Sequence, residues 1–201
     1  AGDPDAASGI VAGQVSATDA DGDTVTFSAP AATAKGTLVL GGDGSFLYTP
    51  TATARHTAAS LSATAADRTD TITVTVTDGH GGATPASVNV TIVPANTAPV
   101  GAVSAGDPDP DTGVVLGTVA AADADGDTLS YIGATTAKGT LEVGPDGSFT
   151  YTPTGAARHA AASPLATPDE TTDTVTITVE DGHGGSLALP VTVAIAPGNS
   201  V

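Results

Sequence analysis

The sequence predicts an all-β protein made of two tandem Greek-key β-sandwiches, and three observations predict it. The first is an internal repeat. Ala1 to Asp5 returns as Ala105 to Asp109, Asp19 to Asp23 as Asp123 to Asp127, Ala34 to Leu38 as Ala137 to Leu141, and Asp78 to Gly82 as Asp181 to Gly185. The second is a period of two. Ile72, Val74 and Val76 alternate with Thr71, Thr73, Thr75 and Thr77, and Val175, Ile177 and Val179 repeat the pattern. Such strands bury one face and wet the other. The third is punctuation by turn residues, such as Gly41-Gly42-Asp43-Gly44 between two apolar runs, with Pro50 closing the second run.

The complete second copy gives the elements in order. Strand A is expected near Val100 to Ser104, B near Val114 to Ala121, C near Thr128 to Ile132 and D near Gly139 to Val143. Strand E follows near Ser148 to Thr152, F near Thr172 to Val179 and G near Leu187 to Ile195. Seven short strands with turns between them read as a sandwich of immunoglobulin type. The first copy begins at the equivalent of Ala105, so its strand A is missing, either cut away or supplied from elsewhere by β-augmentation. The domains are then residues 1–95, the first repeat without strand A, and 96–201, the second. The Ala-rich stretch from Thr51 to Ala66 reads as loop. Phe27, Phe46 and Tyr48 recur in register as Tyr131, Phe149 and Tyr151, which places all six aromatics in the cores. A repeat this close, in a chain without an initiator Met, implies a segment of a longer tandem array.

Composition narrows the function. There are 22 Asp and Glu against 5 Lys and Arg, a net charge of −17. Nucleic acid and anionic membrane are therefore poor partners and cations good ones. Glu142, Glu170 and Glu180 are the only glutamates; the aspartates sit beside Gly, Pro or one another, as in turns and hard-cation sites. Cys is absent, which excludes disulfides and thiol chemistry, and no apolar run reaches the length of a membrane helix. No nucleophile elbow, zinc-protease helix or phosphate loop occurs, so catalysis is not expected. Asp-x-Asp-Gly-Asp lacks the later Glu of an EF-hand, since Pro30 and Ala134 stand there. His80 and His183 read as turn residues, and Lys35 and Lys138, each at a strand start, as exposed.

If strands run up and down between two ends, parity places each loop. Asp3, Asp5, Asp67 and Asn96 of the first repeat fall at its bottom end. Asp123, Asp125, Asp127 and Asp181 of the second fall at its top. The linker from Pro94 to Pro99 is short and holds two prolines, so the two ends should lie close and their carboxylates should repel unless a cation joins them.

The motifs resemble cadherin-like bacterial repeats, especially the VCBS and related immunoglobulin-like repeats of large surface adhesins. Ala17 to Asp23 is similar to the family's Ala-Thr-Asp-x-Asp-Gly-Asp signature. Lys35 to Leu38 with Asp43 to Pro50 is similar to the VCBS Gly-Thr-Leu and Asp-Gly-Ser-Phe-x-Tyr-x-Pro core. Val76 to Gly79 resembles the Ala-x-Asp-x-Gly element, and Asn96 to Val100 the end of a cadherin linker. The resemblance covers both repeats nearly end to end. It implies Ca²⁺ between successive domains, with Asp123, Asp125, Asp181 and linker Asn96 as ligands. Asp67, five residues before Ile72, stands where the family has a Glu, with Glu170 as its counterpart. Asp127 would contribute directly or through water. Asp19, Asp21, Asp23 and Asp78 would form the same site toward a preceding domain. One or two ions per junction are implied. The function expected is a structural repeat of an extracellular bacterial adhesin or filament, at the cell surface or secreted. Its partners would be neighbouring repeats and identical subunits. The alternatives are a ligand-binding adhesin domain and a metal-independent spacer that assembles laterally by strand donation.

Overall fold

The structure, a computed structural model, describes residues 1–198. The chain forms two compact units, Ala1–Asn96 and Thr97–Val201. In the first, β1 (Val11–Gln14), β4 (Ser45–Pro50) and β3 (Gly36–Leu40) make one sheet in the order β1-β4-β3. The facing sheet, β2-β5-β6, holds β2 (Thr26–Ser28), β5 (Thr69–Thr77) and β6 (Ala83–Thr91). The second unit has β7 (Val100–Ala105), β8 (Val115–Ala122), β9 (Ser130–Gly133), β10 (Gly139–Val143), β11 (Ser148–Pro153), β12 (Thr172–Glu180) and β13 (Ser186–Ala194). Its sheets run β10-β11-β8-β7 and β13-β12-β9. Within each unit, paired strands are antiparallel throughout.

Alternation builds both cores. Val11, Leu38, Phe46, Tyr48, Ile72, Val74 and Val90 are buried together in the first unit. Val115, Leu141, Phe149, Tyr151, Val175, Ile177 and Val193 are their counterparts in the second. Four aromatics are fully inside, while Phe27 and Tyr131 are half-buried and pack against the core edge. The Gly before each Thr-Leu has a direct steric reason. A Cβ on Gly36 would stand 2.4 Å from the Tyr48 ring, and on Gly139 2.4 Å from Tyr151, so only glycine lets the ring lie across the strand.

The tyrosine hydroxyls end on a carboxylate that the sequence reading passed over. Tyr48 donates to Asp70 Oδ2 at 2.6 Å, where Thr33 Oγ1 also donates at 2.5 Å; Tyr151 and Thr136 reach Asp173 at 2.8 and 2.5 Å. Burial pushes both tyrosines well above their ordinary value, reinforced by the hydrogen bond to the carboxylate. The only earlier hint was that Thr-Asp recurs in register at the start of both β5 and β12.

Two expectations are corrected. The first half of the Ala-rich stretch is helical and the rest is turn: α1 (Ala52–Ala59) and its counterpart α2 (Gly155–Ala161) begin at Thr51 and Thr154, whose side chains accept from the amides of Ala54 and Ala157. The chain then passes through a short α3 (Pro168–Thr171) in the second unit. A wide apolar stripe was the missing signal; Ala54 and Ala58 alone, one turn apart, pack on Ile92. The lysines are half-buried rather than exposed. Lys35 Nζ donates to the carbonyls of Ala66 and Thr69, and Lys138 Nζ to Asp169 and Thr172, clasping the turn ahead of β5 or β12.

Candidate metal centre

The acidic motifs begin as turns. After β8, Asp123 Oδ1 accepts the amides of Asp125 at 2.8 Å and Asp127 at 3.3 Å, and Gly126 supplies the left-handed residue at φ 86°. After β12, Asp181 Oδ1 accepts the amides of His183 at 2.7 Å and Gly185 at 2.9 Å. One oxygen of each of these aspartates is thus spent on shaping its own loop. Folding then leaves carboxylate oxygens of Asp123, Asp127 and Asp181 within 4.8 Å of one another. Asp181 is only 2% exposed, and Asp123 Oδ2 is buried without a hydrogen-bond partner.

Electrostatics make this arrangement costly when empty. Two unit charges at that spacing repel by about 3 kcal/mol at an effective dielectric near 20. A hard cation removes the repulsion and takes up the orphaned oxygen. Carboxylate oxygens are the donor set that Ca²⁺ prefers. The residues present therefore fit Ca²⁺. The remaining members of the implied set are placed differently. Asp125 is exposed, and its Oδ2 accepts the amide of Thr97 at 2.7 Å, so it fastens the linker strand to the loop. His183, expected to be a plain turn residue, lies with Nδ1 3.1 Å from Asp127 Oδ2. Its recurrence as His80 in the same Asp-Gly-His-Gly-Gly turn was the available signal.

In the first unit the same turns form. Asp19 Oδ1 accepts the amides of Asp21 and Asp23, Asp78 Oδ1 those of His80 and Gly82, and His80 Nδ1 lies 3.2 Å from Asp23 Oδ2. Among the described residues, however, Asp19, Asp23 and Asp78 do not close to the spacing of the second-unit triad. Asp67 accepts the hydroxyl and amide of Thr64, which hold its carboxyl below the ordinary range. Glu170 does the same through the amide and hydroxyl of Thr167 in a capping box. Asn96 is half-buried and closes the first unit.

Residues 2–94 and again 96–197 match the bacterial cadherin-like domain family. No curated protein matches the chain. Among solved structures it is similar to cadherin domains 1–5 of protocadherin gamma B2, with 16% identity and a TM-score of 0.42 over 88% of this chain. It is also similar to domains 3–6 of protocadherin gammaB7, with 15% identity and a TM-score of 0.45 over 93% of this chain. The human desmocollin-1 ectodomain matches at 13% identity and a TM-score of 0.34 over 90%. The chain spans 32%, 43% and 32% of those three structures.

Proposed function

Because the chain belongs to the bacterial cadherin-like domain family, matched in two tandem segments, we propose that it is a structural repeat segment of an extracellular bacterial adhesin or filament. We place a Ca²⁺ site at Asp123, Asp127 and Asp181. Repetition favours reach over chemistry, since each residue of this triad recurs in the other copy as Asp19, Asp23 or Asp78. No helix among the described residues is long and apolar enough to cross a membrane.

The observation that carries the metal reading is the convergence of three carboxylates with a buried, unpartnered oxygen on Asp123. Bound Ca²⁺ would supply positive charge that holds the two loops together. The chain's own residues do the positioning. Asp123 and Asp181 fix their loops through backbone amides and direct the second oxygen inward, and Asp125 ties the linker amide of Thr97 to the same loop. A cation at the triad thus stabilises the loop that receives the linker. Asp19, Asp21, Asp23 and Asp78 form the weaker equivalent in the first unit.

Calorimetric titration of the chelator-treated chain with Ca²⁺ tests this. Saturable binding is expected, weakened at least tenfold by Asp127→Asn, which keeps the shape of the side chain and removes its charge. A chain that takes up no Ca²⁺, or an Asp127→Asn variant that binds as well as the parent, overturns the metal reading.

A further inference from the structure

In each unit the first strand lies in one sheet and the last strand in the other. β1 and β7 belong to the sheets that contain β4 and β11, whereas β6 and β13 belong to the facing sheets, beside β5 and β12. A pull between the two ends of a unit therefore works to draw its sheets apart. Within the sheets that pull is spread over backbone ladders. It runs from β1 to β4 in the first unit and from β7 through β8 to β11 in the second, then from β5 to β6 or from β12 to β13. Between the sheets the apolar cores are attractive but non-directional, so they let one sheet slide over the other.

Directional bonds cross that gap where the two ladders meet. Tyr48 of β4 and Tyr151 of β11 are fully buried, and their hydroxyls donate to Asp70 of β5 at 2.6 Å and Asp173 of β12 at 2.8 Å. Thr33 and Thr136, in the turns before β3 and β10, donate to the same carboxylate oxygen. Each threonine oxygen also accepts two amides of its own turn, those of Lys35 and Gly36 or of Lys138 and Gly139. Lys35 and Lys138 grip the chain one residue earlier, at the carbonyls of Thr69 and Thr172. Hydroxyls on a carboxylate make charge-assisted bonds, roughly twice as strong as neutral ones. The covalent route between the same strands is longer, through α1 in the first unit and through α2 and α3 in the second. It stays slack until the joint has opened.

We propose that the Tyr–Asp–Thr joint is the tension-bearing link between the two sheets of each repeat. It does the work that an inter-sheet disulfide does in other sandwiches, in a chain that has no Cys. The inference deepens the reading of the chain as a structural repeat segment and rests on that reading for its use, because a spacer between an anchor and a target carries load. No cation takes part in the joint, so the metal reading and the joint stand or fall separately.

Single-molecule pulling of the 201-residue chain by handles at its two ends, in the presence of chelator, tests it. Tyr151→Phe keeps the buried ring and removes one bond to Asp173. The second unit should then unfold about tenfold faster at a fixed pull, with the first unit unchanged. Tyr48→Phe should do the same to the first unit alone. Thr136→Val removes the other hydroxyl without touching the core ring and should act in the same direction. Ala161→Gly in α2 is the control, a substitution of comparable thermal cost off the path between the sheets; it should leave the rate under the same pull within about twofold of the parent. A Tyr151→Phe chain that unfolds under load no faster than the parent, or no faster than the Ala161→Gly chain, overturns the proposal. Either result leaves the assignment of the chain as a repeat segment untouched, since the pulling uses the purified chain alone.

Discussion

The first and second units carry the same loops on unequal frames. In both, an aspartate after the second sandwich strand folds its own turn and a second aspartate folds the Gly-rich turn, with matching hydrogen bonds. Yet Val179 is fully buried and Val76 is not, and the strand β8 is twice as long as β1. Turn geometry is written in four or five consecutive residues, whereas strand length and core closure depend on pairing and packing with other strands. The same loops are therefore compared on a longer and a shorter supporting strand.

The largest effect should come from the aromatic pair that the units share. Phe46→Ala and Phe149→Ala each remove a buried ring, and each should destabilise its own unit by about 3–5 kcal/mol. Unit-resolved denaturation monitored by NMR checks this, and unequal costs would show that the two cores are closed to different degrees. Next in size is the response to Ca²⁺. At a concentration near a hundred times Kd the second unit should gain about 2.7 kcal/mol, and the first unit clearly less, as read from the two thermal transitions. Smaller again is Val103→Ala. It deletes two methyl groups at a half-buried position and should cost the second unit about 1–2 kcal/mol, moving it toward the first; a neutral result would show that β7 contributes pairing without packing.

The smallest effect is shared by both units. Asp43 and Asp146 are held below their ordinary value, first by the Ser45 and Ser148 hydroxyls and then by the amides of the same serines. A carboxyl with a lowered folded pKa contributes stability above the unfolded value and loses it as pH falls through the folded one. The hairpin contribution should therefore be complete above the ordinary value of 3.8 and be lost from both units beneath it, as read by acid melts. Ser45→Ala should weaken that acid dependence in the first unit's hairpin only, since the Ser45 amide still donates to Asp43.

Most of the fold was legible because its signal is local and repeated. Thr-Val alternation placed β5 and β12, and Gly41 to Gly44 with Pro50 placed the β3–β4 hairpin. Helix α1 was not legible, since its buried side is two alanines, too small to give an apolar period. At the site, parity of the strands correctly gathered the Asp123 loop with Asp181. It did not reveal that Asp125 serves the linker amide, that Asp67 is engaged by Thr64, or that His183 stands against Asp127. Those facts depend on side-chain direction within a turn, which spacing does not encode. Asp70 and Asp173 were missed because a carboxylate in a Thr-rich strand reads as wet-face until Tyr48 or Tyr151 is seen to end on it.

The central claim is that the carboxylates at the end of the second unit form a cation site that the first unit holds only incompletely. Amide NMR spectra of the chelator-treated chain, followed through a Ca²⁺ titration to about 10 mM, above the weak end of extracellular Ca²⁺ modules, test it most directly. Saturable shifts of residues 123–127 and 181–185 are predicted first, with residues 19–23 and 78–82 responding only at higher concentration. A spectrum in which neither set moves, or in which both move together at one affinity, contradicts the account.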